Sequence, residues 1–211
     1  MANADCTKNV QRKNSIHKNL VEFFMEESIL ERTQNCDEYF DKHVLALADL
    51  HGKQKQFPEE SDSPSIAFSH IVHHEIGIFE MFMASMYRPQ NSHCIYIDRK
   101  ASKLIHSAVQ AIVNCYNERF SDSKGKLYVY DWTDPIYWGH ISLLEADLRC
   151  LRSLLENNNR WEYYVNTAGS ELPLVTYPEF VNKLQEAGGS IIDSFKLTNH
   201  FRLVDAIYLE R

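Results

Sequence analysis

Histidines, carboxylates and aromatic residues recur at three places along the chain where they could do chemistry. His70, His73, His74 and Glu75 form the densest group of potential metal ligands. A metal needs a closed shell of three or four ligands, and neither a second close set of Cys, His or carboxylates nor the H-E-x-x-H spacing accompanies the group. The group reads instead as a strand-end histidine that hydrogen-bonds a ligand or caps the following helix. In Cys94-Ile95-Tyr96-Ile97-Asp98-Arg99-Lys100 a carboxylate follows an apolar run. Asp98 there either accepts hydrogen bonds from the ribose or base of a nucleotide or caps the next helix. Tyr137-Trp138-Gly139-His140 sets two aromatic residues at a helix start, where core packing and a ligand platform are both open readings. No G-x-G-x-x-G, G-x-x-x-x-G-K-[ST] or Asp-x-Asp occurs, so a bound phosphate would be neutralised by Lys or Arg and not by a glycine cradle or a carboxylate-held ion.

The elements that must position these groups follow from periodicity. Ile66 to Val72, Cys94 to Ile97, Leu127 to Tyr130 and Trp161 to Val165 are short apolar runs of strand type. Between and after them, Glu75 to Tyr87, Ser102 to Cys115, His140 to Leu155 and Pro178 to Ala187 carry helical patterns. Such alternation implies right-handed βαβ units and a mainly parallel sheet covered on both faces, an α/β protein. Ligands of such sheets lie beyond the carboxyl ends of the strands, which are His73, Asp98 and the loop from Asn166 to Glu171. Ahead of this body, Ile16 to Glu31 and Cys36 to Leu50 are helical candidates, and Gly52 to Ser65, with Pro58 and Pro64, reads as a loop.

Composition narrows the class further. With 44% hydrophobic and 24% charged residues, the 211-residue chain can bury a real core as one large domain or one domain with an extension. Lys plus Arg is 22 against 29 Asp plus Glu, a net charge of -7 that opposes binding to nucleic acid. The longest apolar stretches, Val44 to Ala48 and Ile76 to Met83, fall far short of the ~20 residues of a membrane span, and Met1 to Leu20 has no signal-peptide core. Cys6, Cys36, Cys94, Cys115 and Cys150 are widely spaced without a C-x-x-C pair, so from spacing alone they read as scattered buried thiols of unassigned connectivity.

Taken in order, Ile66-Ala67-Phe68-Ser69-His70-Ile71-Val72-His73-His74, Met86-Tyr87-Arg88-Pro89-Gln90-Asn91, Cys94 to Lys100, Glu145-Ala146-Asp147-Leu148-Arg149-Cys150 and Asn166 to Pro173 resemble the core-2/I-branching glycosyltransferase family. The resemblance spans about residues 36 to 205, and it looks closer to the β-1,6-N-acetylglucosaminyltransferases of that family than to its peptide O-xylosyltransferases. It implies a GT-A-like fold, with a mainly parallel Rossmann-type sheet and flanking helices. It also implies an inverting, metal-independent transfer of GlcNAc from UDP-GlcNAc to an O-glycan acceptor in the Golgi. Position by position, Ile71 and His73 fall at the family's uridine-contacting strand end, Asp98 at its nucleotide-binding aspartate, and Trp138 at its aromatic residue beside the nucleotide. Glu171, Asp193 and Arg202 fall on the acceptor side. The same resemblance implies disulfides between Cys36 and Cys115 and between Cys94 and Cys150, and likens Cys6 to a cysteine whose partner lies near a far C-terminus.

No catalytic residue and no metal are assigned within the chain. The resemblance places the general base, a glutamate in a Ser-Pro-Asp-Glu-like segment, and the diphosphate-binding Arg and Lys beyond Arg211, and a membrane anchor ahead of residue 1. The expectation is therefore an N-terminal helical extension and loop over 1–64, then a partial glycosyltransferase domain over 65–211, truncated at its C-terminus and weakly active or inactive alone. The rival expectations are a non-catalytic pseudoenzyme that binds nucleotide or a partner protein, and a fragment of an enzyme like the peptide O-xylosyltransferases.

Overall fold

The computed structural model describes residues 24–50, 63–130, 134–137, 139–157 and 160–190. Four strands, β1 (Ile66–Val72), β2 (Ser92–Ile97), β3 (Leu127–Tyr130) and β4 (Tyr163–Ala168), form one parallel sheet in the order β3-β2-β1-β4. The chain steps outward from β1 through β2 to β3, then returns to the opposite side of β1 with β4. Right-handed crossovers place helices on one face for the outward steps and on the other face for the return. Accordingly α4 (Ile76–Met86) and α5 (Lys103–Arg119) cover one face, and α6 (Ile141–Glu156) covers the other. Before them lie α1 (Glu26–Arg32), α2 (Cys36–Tyr39), a π-helical turn over Phe40–Val44, and α3 (Leu45–Leu50); α7 (Tyr177–Ala187) follows β4.

The period of two along β1 decides what each face sees. Ile66, Phe68 and Val72 enter the larger core with α4 and α5, whereas Ala67 and Ile71 meet Ala146, Cys150 and Leu154 of α6. β1 and β2 are covered on both faces, which is why they tolerate near-continuous apolar sequence, while β4 is a half-exposed edge. Its edge position explains a difference from the sequence reading, which ended the strand at Val165. Pairing with β1 continues to Ala168, and the polar Asn166 and Thr167 are tolerated there. β2 likewise starts two residues earlier than its apolar run, because Ser92 and His93 are buried polar residues. α5 runs four residues past Cys115, to Arg119, held by the buried Tyr116.

Helix ends are closed by their own side chains. Ser102 accepts the amide of Ile105 at 3.2 Å, and Thr176 with Glu179 forms a capping box on α7. The sequence readings that fall on 26–50 are met by α1 to α3, and the part of Ile16 to Glu31 before residue 24 lies outside the described residues, as does most of the Gly52 to Ser65 loop. Ile29, Tyr39, Phe40 and Val44 join the same core as α4 and α5. A buried two-point ion pair between Arg32 and Glu80, with Arg32 Nε to Glu80 Oε1 at 3.0 Å, ties α1 to α4.

The disulfides Cys36–Cys115 and Cys94–Cys150 are both formed, with Cα separations of 4.9 and 5.5 Å. The bland reading of scattered thiols is therefore corrected for these four residues. Cys6 lies outside the described residues. Among the described residues no helix is long and apolar enough to cross a membrane.

Candidate functional site

In a parallel sheet whose strand order reverses, ligands sit in the crevice at the carboxyl ends of the two strands on either side of the reversal. Here the reversal lies between β1 and β4. A cleft of about 270 Å³ opens at that edge, with Ile71, Ala168 and Gly169 as its floor and Asp98, Ile136 and Leu143 among its walls. His73, His74, Lys100 and Ser170 complete its lining.

The floor depends on a missing side chain. The Gly169 amide donates to the Ile71 carbonyl at 2.6 Å, and a Cβ at residue 169 would stand 2.9 Å from Val72 Cα. Only glycine lets the turn after β4 lie this closely on the end of β1. Glu171 closes the same turn, its Oε2 accepting the Ala168 amide at 3.0 Å.

Asp98 stands at the end of β2 and is 3% exposed. Its Oδ1 accepts the amide of Lys100 at 3.0 Å and that of Ile136 at 3.4 Å, so one carboxylate oxygen fixes the turn after β2 and the segment leading to α6. The capping reading is corrected, since Ser102 and not Asp98 caps α5. The other oxygen, Oδ2, meets the Lys100 ammonium at 3.7 Å, beyond hydrogen-bond length.

Of the residues singled out from sequence, Ile71, His73 and Asp98 come together in this cleft. His73 is exposed, in edge-to-face contact with His74 at 4.3 Å, and it does not cap α4; the residue at that N-cap is Glu75, in the left-handed region at φ 54°. Glu171 lies in an adjoining cleft with Asp147, Asn166 and Leu144, sharing Ile71, Leu143 and Ala168 with the first. Trp138, Asp193 and Arg202 lie outside the described residues. The sequence reading had named His74 in its histidine group and Gly169 and Ser170 within the loop from Asn166 to Glu171; the cleft residues that it did not single out are Ile136, Leu143 and Lys100. A lone glycine directly after a strand was the available signal for Gly169.

His70 does not join His73 and His74. The period of two turns it to the other face, where it is fully buried beside Phe79 and Phe82. Its Nε2 lies 2.9 Å from His93 Nδ1 and its Nδ1 lies 2.7 Å from the Thr167 hydroxyl. The Thr167 hydroxyl donates to the Ser69 carbonyl at 3.2 Å, so His70 Nδ1–H donates to Thr167 and His93 Nδ1–H donates to His70. Burial pushes His70 down to about 3 and His93 well below the usual histidine range, so both rings are neutral. Among the described residues no three His, Cys, Asp or Glu side chains gather as a metal site needs.

Comparison with known proteins gives the cleft a context. The family model described as Core-2/I-Branching enzyme matches residues 66–205, which include every described strand. A rat beta-1,3-galactosyl-O-glycosyl-glycoprotein beta-1,6-N-acetylglucosaminyltransferase 3 is 30% identical over 195 residues, covering 88% of this chain and 41% of the relative. A mouse N-acetyllactosaminide beta-1,6-N-acetylglucosaminyl-transferase is 30% identical, covering 74% of this chain and 35% of the relative. A bovine herpesvirus 4 beta-1,6-N-acetylglucosaminyltransferase is 33% identical, covering 72% and 36%. The chain thus spans 35 to 41% of the length of these three relatives. With its parallel α/β sheet, its cleft at the strand-order reversal and this match to more than half of its length, the chain belongs to the core-2/I-branching enzyme family.

Proposed function

We propose that the cleft binds the uridine nucleotide of a sugar donor, UDP-GlcNAc, and that the chain carries the donor-binding part of a β-1,6-N-acetylglucosaminyltransferase whose acceptors are O-glycans. The observation that carries the reading is Asp98, a buried carboxylate that lines the cleft at the carboxyl edge of the sheet, with Oδ1 committed to backbone amides and Oδ2 3.7 Å from the Lys100 ammonium. An ionised carboxylate only accepts hydrogen bonds, and a nucleoside offers donors at its ribose hydroxyls and, in uridine, at the ring N–H. Ile71 and Ile136 supply apolar surface for the flat base. The names of the relatives support GlcNAc as the transferred sugar. Two disulfides suit an oxidising compartment, and the proposed location is the Golgi lumen. The reading assigns no metal.

Calorimetric titration of uridine into the 211-residue chain and its Asp98→Asn variant tests this. Asparagine keeps an oxygen for the two backbone amides and replaces Oδ2 by a donor, so the fold stays while the acceptor is lost. The variant should bind uridine about 10- to 100-fold more weakly, the size of a hydrogen bond to a charged group. Equal affinity of the two proteins would sink the assignment.

A further inference from the structure

Single apolar side chains left in water are ordinary on a protein surface, whereas a row of them on one element marks a contact surface. Of the nine large apolar side chains exposed among the described residues, Ile141, Leu143, Leu144, Leu148 and Leu155 lie on α6. The helix already buries its other face, with Ala146, Cys150 and Leu154 against the sheet. On its outer side Ile141, Leu144, Leu148, Leu151 and Leu155 follow one another at steps of three, four, three and four residues, Leu151 half-buried and the other four exposed. That is the seam of a paired helix, because a mean step of about 3.5 residues keeps one stripe facing a neighbour along its whole length. We propose that this stripe is a self-association surface, on which α6 of a second copy of this chain lies antiparallel. The proposal is independent of the nucleotide reading.

Charge selects both the second copy and its direction. Glu145 and Arg152 are exposed and stand seven residues apart, so two turns of helix bring them to the same edge of the stripe. Their midpoint falls between Leu148 and Arg149, and the stripe itself is centred on Leu148. When an identical helix is laid on the stripe in the opposite direction about that midpoint, Glu145 of each copy meets Arg152 of the other, the reciprocal contact that a two-fold axis requires. A parallel pair lacks this match. Heptad geometry would then set Arg152 against Asp147, whose Oδ1 already accepts from the Ser69 and Tyr164 hydroxyls at 2.6 Å each. A lipid surface suits the stripe less well, since interfacial helices carry an excess of Lys and Arg beside their apolar face and this edge is balanced on a chain of net charge -7. The 16 residues of α6 give about 24 Å of axis and a single seam, so the contact is at the small end of protein interfaces and the dimer is a weak one. Leu144 also lines the cleft that holds Glu171, so the second copy stands beside that cleft.

Sedimentation velocity of the 211-residue chain between about 1 and 100 µM should show monomer passing to dimer, the range in which a small interface assembles. Leu148→Lys should leave only monomer over that range, because it puts an ammonium into the seam. At the low end of the range its thermal melt should match wild type, since Leu148 is 51% exposed. Glu145→Arg and Arg152→Glu should each weaken the dimer about 2- to 30-fold, two exposed ion pairs being lost per dimer. Mixed in equal amounts, these two variants are complementary at both crossings and should assemble to within about twofold of wild type. Such recovery is specific to the antiparallel pair, because mixing mends no structural damage in either variant. A wild-type chain that stays monomeric at the top of the range would overturn the proposal, as would a dimer untouched by Leu148→Lys. A dimer that Leu148→Lys abolishes and the mixture fails to recover rejects the antiparallel copy as the occupant. Leu148-dependent binding of the monomer to phosphatidylcholine vesicles, without dimerisation, would make the stripe a lipid surface and overturn the proposal as well.

Discussion

Replacing Arg32 by methionine should cost a large share of the stability of this protein, and the structure says how much. Glu80 is 0% exposed in the middle of α4, and Arg32 is its two-point partner at 6% side-chain exposure. Methionine fills similar volume but leaves the Glu80 carboxylate in the core with its cationic partner gone. Removing one member of a buried pair costs about 3 to 5 kcal/mol, because the remaining charge keeps its desolvation penalty. Against a typical total of about 5 to 15 kcal/mol this is about a fifth or more of the stability, equivalent to a melting point lowered by roughly 6 to 20 °C for a chain of this size. The double variant Arg32→Met with Glu80→Leu removes both charges and should return to within about 1 kcal/mol of wild type, or exceed it. Urea denaturation followed by circular dichroism on the four proteins of this cycle measures the coupling directly. A single variant that loses less than about 1 kcal/mol, or a double variant whose loss equals the sum of the two singles, would refute the claim that the pair is a desolvated unit holding α1 on α4.

Two further outcomes can be checked by the same melts. His70, pushed down to about 3 by burial, and the similarly depressed His93 stay neutral in the fold while the unfolded chain takes up protons below about pH 6.5. Their contribution is complete above that pH and is lost as pH falls, at up to about 1.4 kcal/mol per pH unit for each ring; equal urea midpoints at pH 7 and pH 5 would contradict it. Gly169→Ala should destabilise by about 1 to 3 kcal/mol and weaken uridine binding, because its Cβ would meet Val72 Cα at 2.9 Å and the Ile71 oxygen at 3.0 Å. Gly189→Ala, with nothing within 4 Å, is the control, and identical melts of the two variants would disprove the close-approach argument.

How far the sequence could be read depended on whether the cause was local. Ile66 to Val72 announces itself as a strand because a doubly covered parallel strand is apolar throughout, and the alternation with helices is enough to infer a parallel sheet. His93 was invisible to that reasoning, since a histidine inside β2 is polar by type and is kept neutral only by its neighbours. Asn166 and Thr167 read as a turn for the same reason, and only their pairing with Ser69 and His70 makes them strand. The family resemblance correctly supplied the pairing of the four cysteines, which spacing left open. Ile71, His73 and Asp98 were legible as strand-end residues. Gly169 was legible only as part of the loop from Asn166 to Glu171, because its close approach to β1 comes from where β4 sits. Strand order is a non-local property, and the return of β4 to the far side of β1 is what brings Gly169 against Ile71.

That same return explains the position of the second disulfide. The cleft is walled by Asp98 at the end of β2 and by Leu143 in the first turn of α6, and α6 packs on the face of the sheet that Cys94 and Tyr96 of β2 present. Cys94 lies four residues before Asp98 and Cys150 seven residues after Leu143, so the bond between them joins the two walls through short, regular stretches of strand and helix. Closing a loop of this length restricts the unfolded chain by about 4 kcal/mol in the chain-entropy model. Its larger consequence for a binding site is geometric. The Ile136 amide on Asp98 Oδ1 and the Tyr96 hydroxyl donating to the Asp134 carbonyl at 3.0 Å add two further ties between β2 and the segment entering α6. Three independent links therefore hold the walls of the cleft in register.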